Sequence, residues 1–282
     1  WRIHALRKSN IDTGYCKPVG QEFVELKQEG FPRVDKDTVL FSKVMKFDIE
    51  PEIHSPIIIG KGATAEYLDH PENYELDGLI YKAANVLEKR HEMVVYEGTG
   101  HPGVGRVAGL SNAQVAKMLG AGVIMVAKGG IGNTIDRLHL SMAVFREQQV
   151  PILGVIINKV IPDKIDKIRH YMGKHLDQIG IPLLGLVPYE KTLSNPLMVN
   201  VKDAVKGEVL MNEDFLDNQV EDIVAGSLVD KKELKRFNNL LLVVSITRLE
   251  EAILKNVELI YENKKVKQAI FVDLNELKLS GE

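Results

Sequence analysis

Residues 96–109 read YEGTGHPGVGRVAG, in which Gly98, Gly100, Gly103 and Gly105 form the spacing G-x-G-x-x-G-x-G and Glu97 stands directly before them. Glycines this dense let backbone N–H groups approach phosphate oxygens, and a neighbouring carboxylate can hold a divalent cation directly or through water. As a dinucleotide-binding turn the stretch fails twice. Such a turn opens a helix at once, so that the helix N-terminus meets the pyrophosphate; here Pro102 interrupts the motif and helical patterning resumes only at Leu110-Ser111. It also needs an acid about 20 residues downstream for the ribose, yet no Asp or Glu lies between Gly98 and Ile135. A kinase glycine loop fails as well, since neither His-Arg-Asp nor Asp-Phe-Gly occurs in the chain. What remains is an acid ending a buried apolar strand, at the edge of a parallel sheet where α/β proteins bind ligands. A solvated strand-end acid before a flexible turn is the competing reading. His101, inside the loop, reads as a phosphate contact, a proton-transfer group or an ordinary loop histidine.

The elements that must position these residues follow from the apolar pattern. MVVYEG (93–98), GVIMVAKGG (122–130), PILGVIINKV (151–160) and PLLGLVPY (182–189) are continuous Val/Ile/Leu runs bounded by Gly or Pro, which suit strands buried on both faces. Between them, 110–120, 133–149 and 163–180 carry apolar residues at helical spacing and open near a Ser, Asn or Asp. In the third, Ile165, Ile168, Met172, Leu176 and Ile179 form one stripe. The alternation predicts an α/β fold with a doubly wound, mainly parallel sheet. Upstream, residues 11–20 read as a strand ending at Lys17-Pro18 and RIHALRKSN as the tail of a helix; 35–47 and 75–90 read as helices, with 48–74 mostly irregular. Beyond residue 207 the texture changes to shorter strand–helix units, so 1–207 is expected to form one domain and 208–282 a second, smaller α/β domain.

Composition narrows the function classes. The 282 residues carry 36 Lys and Arg against 39 Asp and Glu, a formal charge of −3, which disfavours nucleic acid as the main partner. No apolar run approaches the roughly 20 residues of a membrane span. Cys16 is the single cysteine, so no internal disulfide can form and a cytoplasmic setting is expected. A lone Cys in an apolar strand reads as core, and a glutamine amidotransferase, which needs a Cys–His pair, is not visible. The eight histidines form no HExxH or other paired metal-ligand spacing.

Taken in order, YCKPVGQ, VDKDTVLF, YEGTGHPGVG, LSNAQVAKMLGAGVIMVAKGGIGNTIDRL, LGVIINKV and LLGLVPYEKTLSNP resemble the dethiobiotin synthetase-like P-loop proteins. That group includes the ATP-binding part of cobyrinic acid a,c-diamide synthases and the N-terminal part of some phosphate acetyltransferases. The resemblance spans about residues 11 to 200, and the branch it points to often carries a second module named for a D-R-T-G-G motif, where 208–282 stand. It implies ATP and Mg²⁺ as cofactors, a small-molecule carboxylate substrate and a homodimer. By position, Lys17 matches the lysine that neutralises substrate or phosphate charge, with a snorkelling surface lysine as its bland counterpart. Asp37, with Asp35, matches the switch-type metal acid; an acid at a helix N-terminus is the competing explanation. Glu97 matches the second metal-associated acid. Asn158 matches the residue that reads the adenine edge, one C=O and one NH₂ suiting a purine's paired groups; a capping asparagine is the alternative. Lys159 is placed over the ring and Pro188 and Tyr189 against the base. Gly98, Gly100, His101 and Gly130, with Gly129 and Gly132, are placed at the substrate loop or as turn glycines.

Two departures matter. No G-x-x-x-x-G-K-[ST] occurs, and Gly60-Lys61 lacks the preceding glycine; the phosphate loop and first strand of the family would lie ahead of Trp1. In the second module, SITRLEEAIL keeps Arg248 without the Asp, and LSGE carries no Thr-Gly-Gly. The leading expectation is an ATP- and Mg²⁺-dependent ligase that activates a carboxylate or carbamate by phosphorylation. The alternative is a nucleotide-binding regulatory module without catalysis; NAD-dependent redox chemistry is disfavoured by the missing ribose acid.

Overall fold

The computed structural model describes residues 5–6, 8–26, 30, 32–60, 62–71, 75–209, 213–225 and 239–243. By packing, the chain divides into two units, 1–189 and 190–282. Strands β1 (Thr13–Cys16), β2 (Val19–Gly20), β3 (Phe23–Glu25), β4 (Arg33–Asp35), β5 (Ile57–Ile58), β6 (Met93–Tyr96), β7 (Val123–Lys128), β8 (Ile152–Val160) and β9 (Leu183–Pro188) belong to the first unit. So do helices α1 (Lys36–Met45), α2 (Pro51–His54), α3 (Ala63–Asp69), α4 (Leu76–Arg90), α5 (Asn112–Met118), α6 (Gly132–Glu147) and α7 (Ile165–Gln178).

The pairing is mainly parallel. β1 pairs β6 with Cys16 opposite Tyr96, β2 pairs β5, and β7, β8 and β9 form a three-stranded sheet with β8 central. The short antiparallel pair β3–β4 is the exception; each strand is 3 residues long, too short to show a period in the sequence. Among the described residues these are separate ladders, with β1–β6 not hydrogen-bonded to β7–β8–β9. The expected α/β class and its parallel strands are present, and each strand and helix expected between 93 and 189 falls within a few residues of its place.

Helix α7 shows why its sequence folds so. Ile168, Met172 and Leu176 recur on one side and are buried against Met125, Val155, Ile157 and Val160 of the sheet, together with Leu138 and Met142 of α6. Burying a side chain of this size contributes about 1.5–3 kcal/mol each, which is what holds β8 between its neighbours. Helix α5 starts on a reciprocal cap: Ser111 Oγ accepts from Gln114 N at 3.2 Å, while Ser111 N donates to Gln114 Oε1 at 3.1 Å. Val126, Leu153 and Leu184 of the three strands are about half exposed. An all-parallel sheet is ordinarily covered on both faces, so the helical cover seen among the described residues is on one face.

Helix α8 (Met198–Val205) and the parallel pair β10 (Asp222–Ala225) and β11 (Leu240–Val243) lie in the second unit. Sequence texture changes near residue 207, whereas the packing division falls after Tyr189, because Met198 of α8 packs with Val220 and Leu241. Lys61, Arg248 and the terminal LSGE lie outside the described residues. No helix among the described residues is long and apolar enough to cross a membrane.

Candidate functional site

Strand period places Tyr15 and Lys17 on one side of β1 and its extension, two residues apart. The parallel register Cys16–Tyr96 then sets Glu97 beside Lys17, and Glu97 N donates to Cys16 O at 2.8 Å. Lys17 is held by its own backbone: its N–H donates to His54 O at 2.9 Å. His54 is buried, stacked on Phe47 with ring centroids 4.7 Å apart, and Glu50 N donates to its Nδ1 at 3.0 Å.

Lys17 is buried and forms ion pairs with Asp37 and, at 3.2 Å, with Asp35 Oδ1. Asp35 is committed to structure. Its Oδ1 accepts from Asp37 N at 2.9 Å as the N-cap of α1, and its Oδ2 accepts from Gln21 N at 3.2 Å. The close approach explains Gly20, where a Cβ would collide with the Asp35 carboxylate. Asp37 differs: its side chain is 48% exposed, so one side of it remains open to a ligand. Burial works against the charge of Lys17, but the bond to Asp37 and the charges of Asp35 and Glu97 outweigh it, raising its pKa.

Glu97 is held by a residue that sequence reasoning missed. Tyr15 donates its hydroxyl to Glu97 Oε2 at 2.6 Å, and its ring is stacked on Phe41 at 4.5 Å. Burial raises the pKa of Glu97, opposed by the Tyr15 bond and the Lys17 charge. Burial and the Glu97 charge push the Tyr15 phenol far up, so it stays protonated and keeps its hydroxyl hydrogen for Glu97. The two-residue spacing of Tyr15 and Lys17 was the available signal. Cys16 between them is buried and its thiol is pushed up by burial, which makes it core.

Downstream of Glu97 the glycine loop is closed by one side chain. Asn112 accepts from Thr99 N at 3.1 Å and donates to Thr99 O at 2.8 Å and His101 O at 2.9 Å. Gly98 is needed because a Cβ would press on that Asn112 amide, and Gly100 has φ +63°. His101 Nδ1 accepts from Gly103 N at 3.2 Å within the same loop. Thr99 Oγ1 donates to Val19 O at 2.5 Å, tying the loop to β2.

The residues expected at the base gather at the carboxyl ends of β7, β8 and β9. Lys159 adopts φ +56°, and its N–H donates to the Asn158 side-chain oxygen at 2.8 Å. Gly129 N donates to Asn158 O at 2.6 Å, and a Cβ on Gly129 would strike the Lys159 carbonyl. Val160 pairs with Pro188, and Tyr189 N donates to Val160 O at 2.7 Å. Gly130 stands just before α6 and abuts Thr134, whose hydroxyl donates to Lys128 O at 2.9 Å. The structure therefore forms two groups, Tyr15–Lys17–Asp35–Asp37–Glu97 and Asn158–Lys159–Pro188–Tyr189.

The donor set suits Mg²⁺ in kind: it is all carboxylate oxygen. Among the described residues no three acids or histidines converge tightly enough to chelate an ion alone, but Mg²⁺ commonly takes one or two carboxylates and completes its shell with water and phosphate oxygens. Asp37 and Glu97 would hold it. A recess of about 330 Å³ in the second unit, lined by Asn195, Pro196, Val220, Glu221, Asp222 and Ile223, includes none of these residues.

A family model described as an AAA domain matches residues 3–197. The chain belongs to that family. Curated relatives of this AAA-domain chain include the phosphate acetyltransferase of Nitrosomonas europaea, 25% identical over 232 residues, covering 79% of this chain and 31% of that protein. The cobyric acid synthase of Moorella thermoacetica is 29% identical over 171 residues, covering 56% and 31%. The ATP-dependent dethiobiotin synthetase of Bacillus subtilis subsp. natto is 27% identical over 217 residues, covering 74% and 88%. The chain thus spans about a third of the first two and most of the third. These matches agree with the dethiobiotin synthetase-like P-loop resemblance carried by the strand-end motifs.

Proposed function

We propose that this AAA-domain chain is the nucleotide-binding part of an ATP- and Mg²⁺-dependent ligase that activates a small carboxylate or carbamate by phosphorylation. The observation that carries the reading is the buried Lys17, paired with Asp35 and Asp37 and within the electrostatic reach of Glu97, at the carboxyl ends of two adjacent parallel strands. Bound magnesium would supply positive charge against the phosphate oxygens. Lys17 neutralises the developing charge on the transferred phosphoryl group or the substrate carboxylate, and Tyr15 keeps the Glu97 oxygens aimed. Backbone N–H groups at Gly98 and Gly100 face the anion, with His101 at the loop rim. Asn158 reads the adenine edge, Lys159 covers the ring and Pro188 and Tyr189 flank it. Catalysis of this type rests on placed charge more than on proton transfer.

The phosphate cradle is part of the same proposal. None of the 282 residues spells a phosphate loop, and β6 and β7 are each hydrogen-bonded on one side only among the described residues. A DRTGG-type second domain, a homodimer and a cytoplasmic setting complete the proposal. The deciding experiment measures phosphate release from ATP and Mg²⁺ by the protein expressed from its complete reading frame, across carboxylate and diamine acceptors. Release stimulated by one acceptor supports the ligase. Metal-dependent ATP binding without turnover supports a regulatory module signalling through the second unit, and no nucleotide binding removes both.

A further inference from the structure

Three carboxylates, Asp35, Asp37 and Glu97, surround one ammonium, Lys17, so the cluster sums to −2 when all four are charged, the charge one divalent cation balances. Asp35 is buried, capped and bonded on both oxygens; Asp37 is the half-exposed member, and the contact that closes its inner side is Lys17. Lys17 thus sits where a cation at Asp37 would sit. Two cations cannot share one carboxylate at that range without mutual repulsion, since like charges about 4 Å apart oppose each other by several kcal/mol near a protein surface.

We propose that Lys17 is a tethered stand-in for the metal, and that a divalent cation arriving at Asp37 displaces its ammonium toward the ligand's anionic group. Metal loading and delivery of the lysine then become one event. Before loading, the lysine is locked on acids and cannot engage an anion; after loading, its stem swings while Asp35 keeps the α1 cap. This inference rests on the metal role of Asp37 in the proposed function.

The test needs no nucleotide and no turnover. Mn²⁺ binding to the 282-residue chain is followed by electron paramagnetic resonance of the free ion. Lys17→Met, which keeps the apolar stem and deletes the competing charge, is expected to tighten Mn²⁺ binding by about tenfold, the factor corresponding to 1.4 kcal/mol. Lys17→Arg keeps a permanent charge and is expected to leave affinity unchanged or lower. Asp37→Asn is expected to abolish that binding. Mn²⁺ bound through Asp37 with no gain in Lys17→Met overturns the stand-in role and leaves the metal site intact. Binding indifferent to Asp37→Asn overturns both.

A measurement on the unaltered protein guards against a misfolded variant. In ¹⁵N-lysine-labelled chain, the Lys17 ammonium, buried in its ion pairs, is expected to give a protected Nζ signal in metal-free buffer. Saturating Mg²⁺ is expected to remove or shift it. A signal that stays unchanged while Mg²⁺ binds at Asp37 refutes the displacement.

Discussion

The two ends of the first unit solve opposite problems. At β1–β6 the apolar core around Tyr15, Cys16, Ile53 and Leu87 ends in a polar cluster, where an ammonium and a capping carboxylate lie buried together, each satisfied by the other and by backbone groups. At β7–β8–β9 the interior is apolar, and the polar residues Asn158, Lys159 and Tyr189 ride on the strand ends above it. The first region has its shape set by charge balance, so removing one group changes all. The second has its shape set by packing, so its edge residues can be changed with little effect on the scaffold. On the proposed function, that difference would separate a device that responds to ions from a platform that holds a flat ligand.

Four substitutions sharpen this contrast. Asp35→Ala leaves Lys17 half-partnered and α1 uncapped, and is expected to cost about 3–5 kcal/mol, as breaking a buried pair does; denaturant unfolding checks it. Leu176→Ala, fully buried between α7 and the sheet, is expected to cost about 2–5 kcal/mol without altering Mn²⁺ binding. If it did alter Mn²⁺ binding, the two ends would not be independent. Tyr15→Phe is expected to cost about 0.5–1.5 kcal/mol, one hydrogen bond, and to raise the Glu97 pKa further, because the bond that opposes burial is gone. The sign is fixed by linkage. With its folded pKa above the ordinary carboxylate value, Glu97 holds more protons in the native state, so its contribution to stability falls as pH rises through that interval. Tyr15→Phe should extend the interval upward, as read by ¹³C titration of the Glu97 carboxyl. Asn158→Ala is expected to move stability by less than about 0.5 kcal/mol while weakening nucleotide binding, checked by paired unfolding and ATP titration.

Much of this was legible in the sequence where the apolar period was strong. The α7 stripe Ile168–Met172–Leu176, the strand MVVY and the acid that ends it, and the helix at 75–90 are where the pattern placed them. The β3–β4 pair and the short α2 were not legible, since a three-residue strand or a four-residue helix spans too little of a period to stand out. The division of the chain at Tyr189 depends on Met198 meeting Leu241, a contact between residues far apart in sequence. Within the site, residue type placed Lys17, Asp37 and Glu97, but a carboxylate reads the same in sequence whether it caps a helix or meets an ion. Asp35 takes up its capping position where Gly20 lets the chain come close. Tyr15 was hidden for another reason: its partner is 82 residues away.

The Asn112 clasp has a practical consequence. Because one amide fastens both Thr99 and His101, residues 98–112 form a closed ring rather than a slack tether, and Arg106 lies exposed on its outer rim. A protease must unbuckle that ring before it can thread the Arg106–Val107 peptide through its cleft. Trypsin should therefore leave this arginine uncut in the native protein long after other exposed arginines are cleaved, and Asn112→Ala should turn it into the first site of scission.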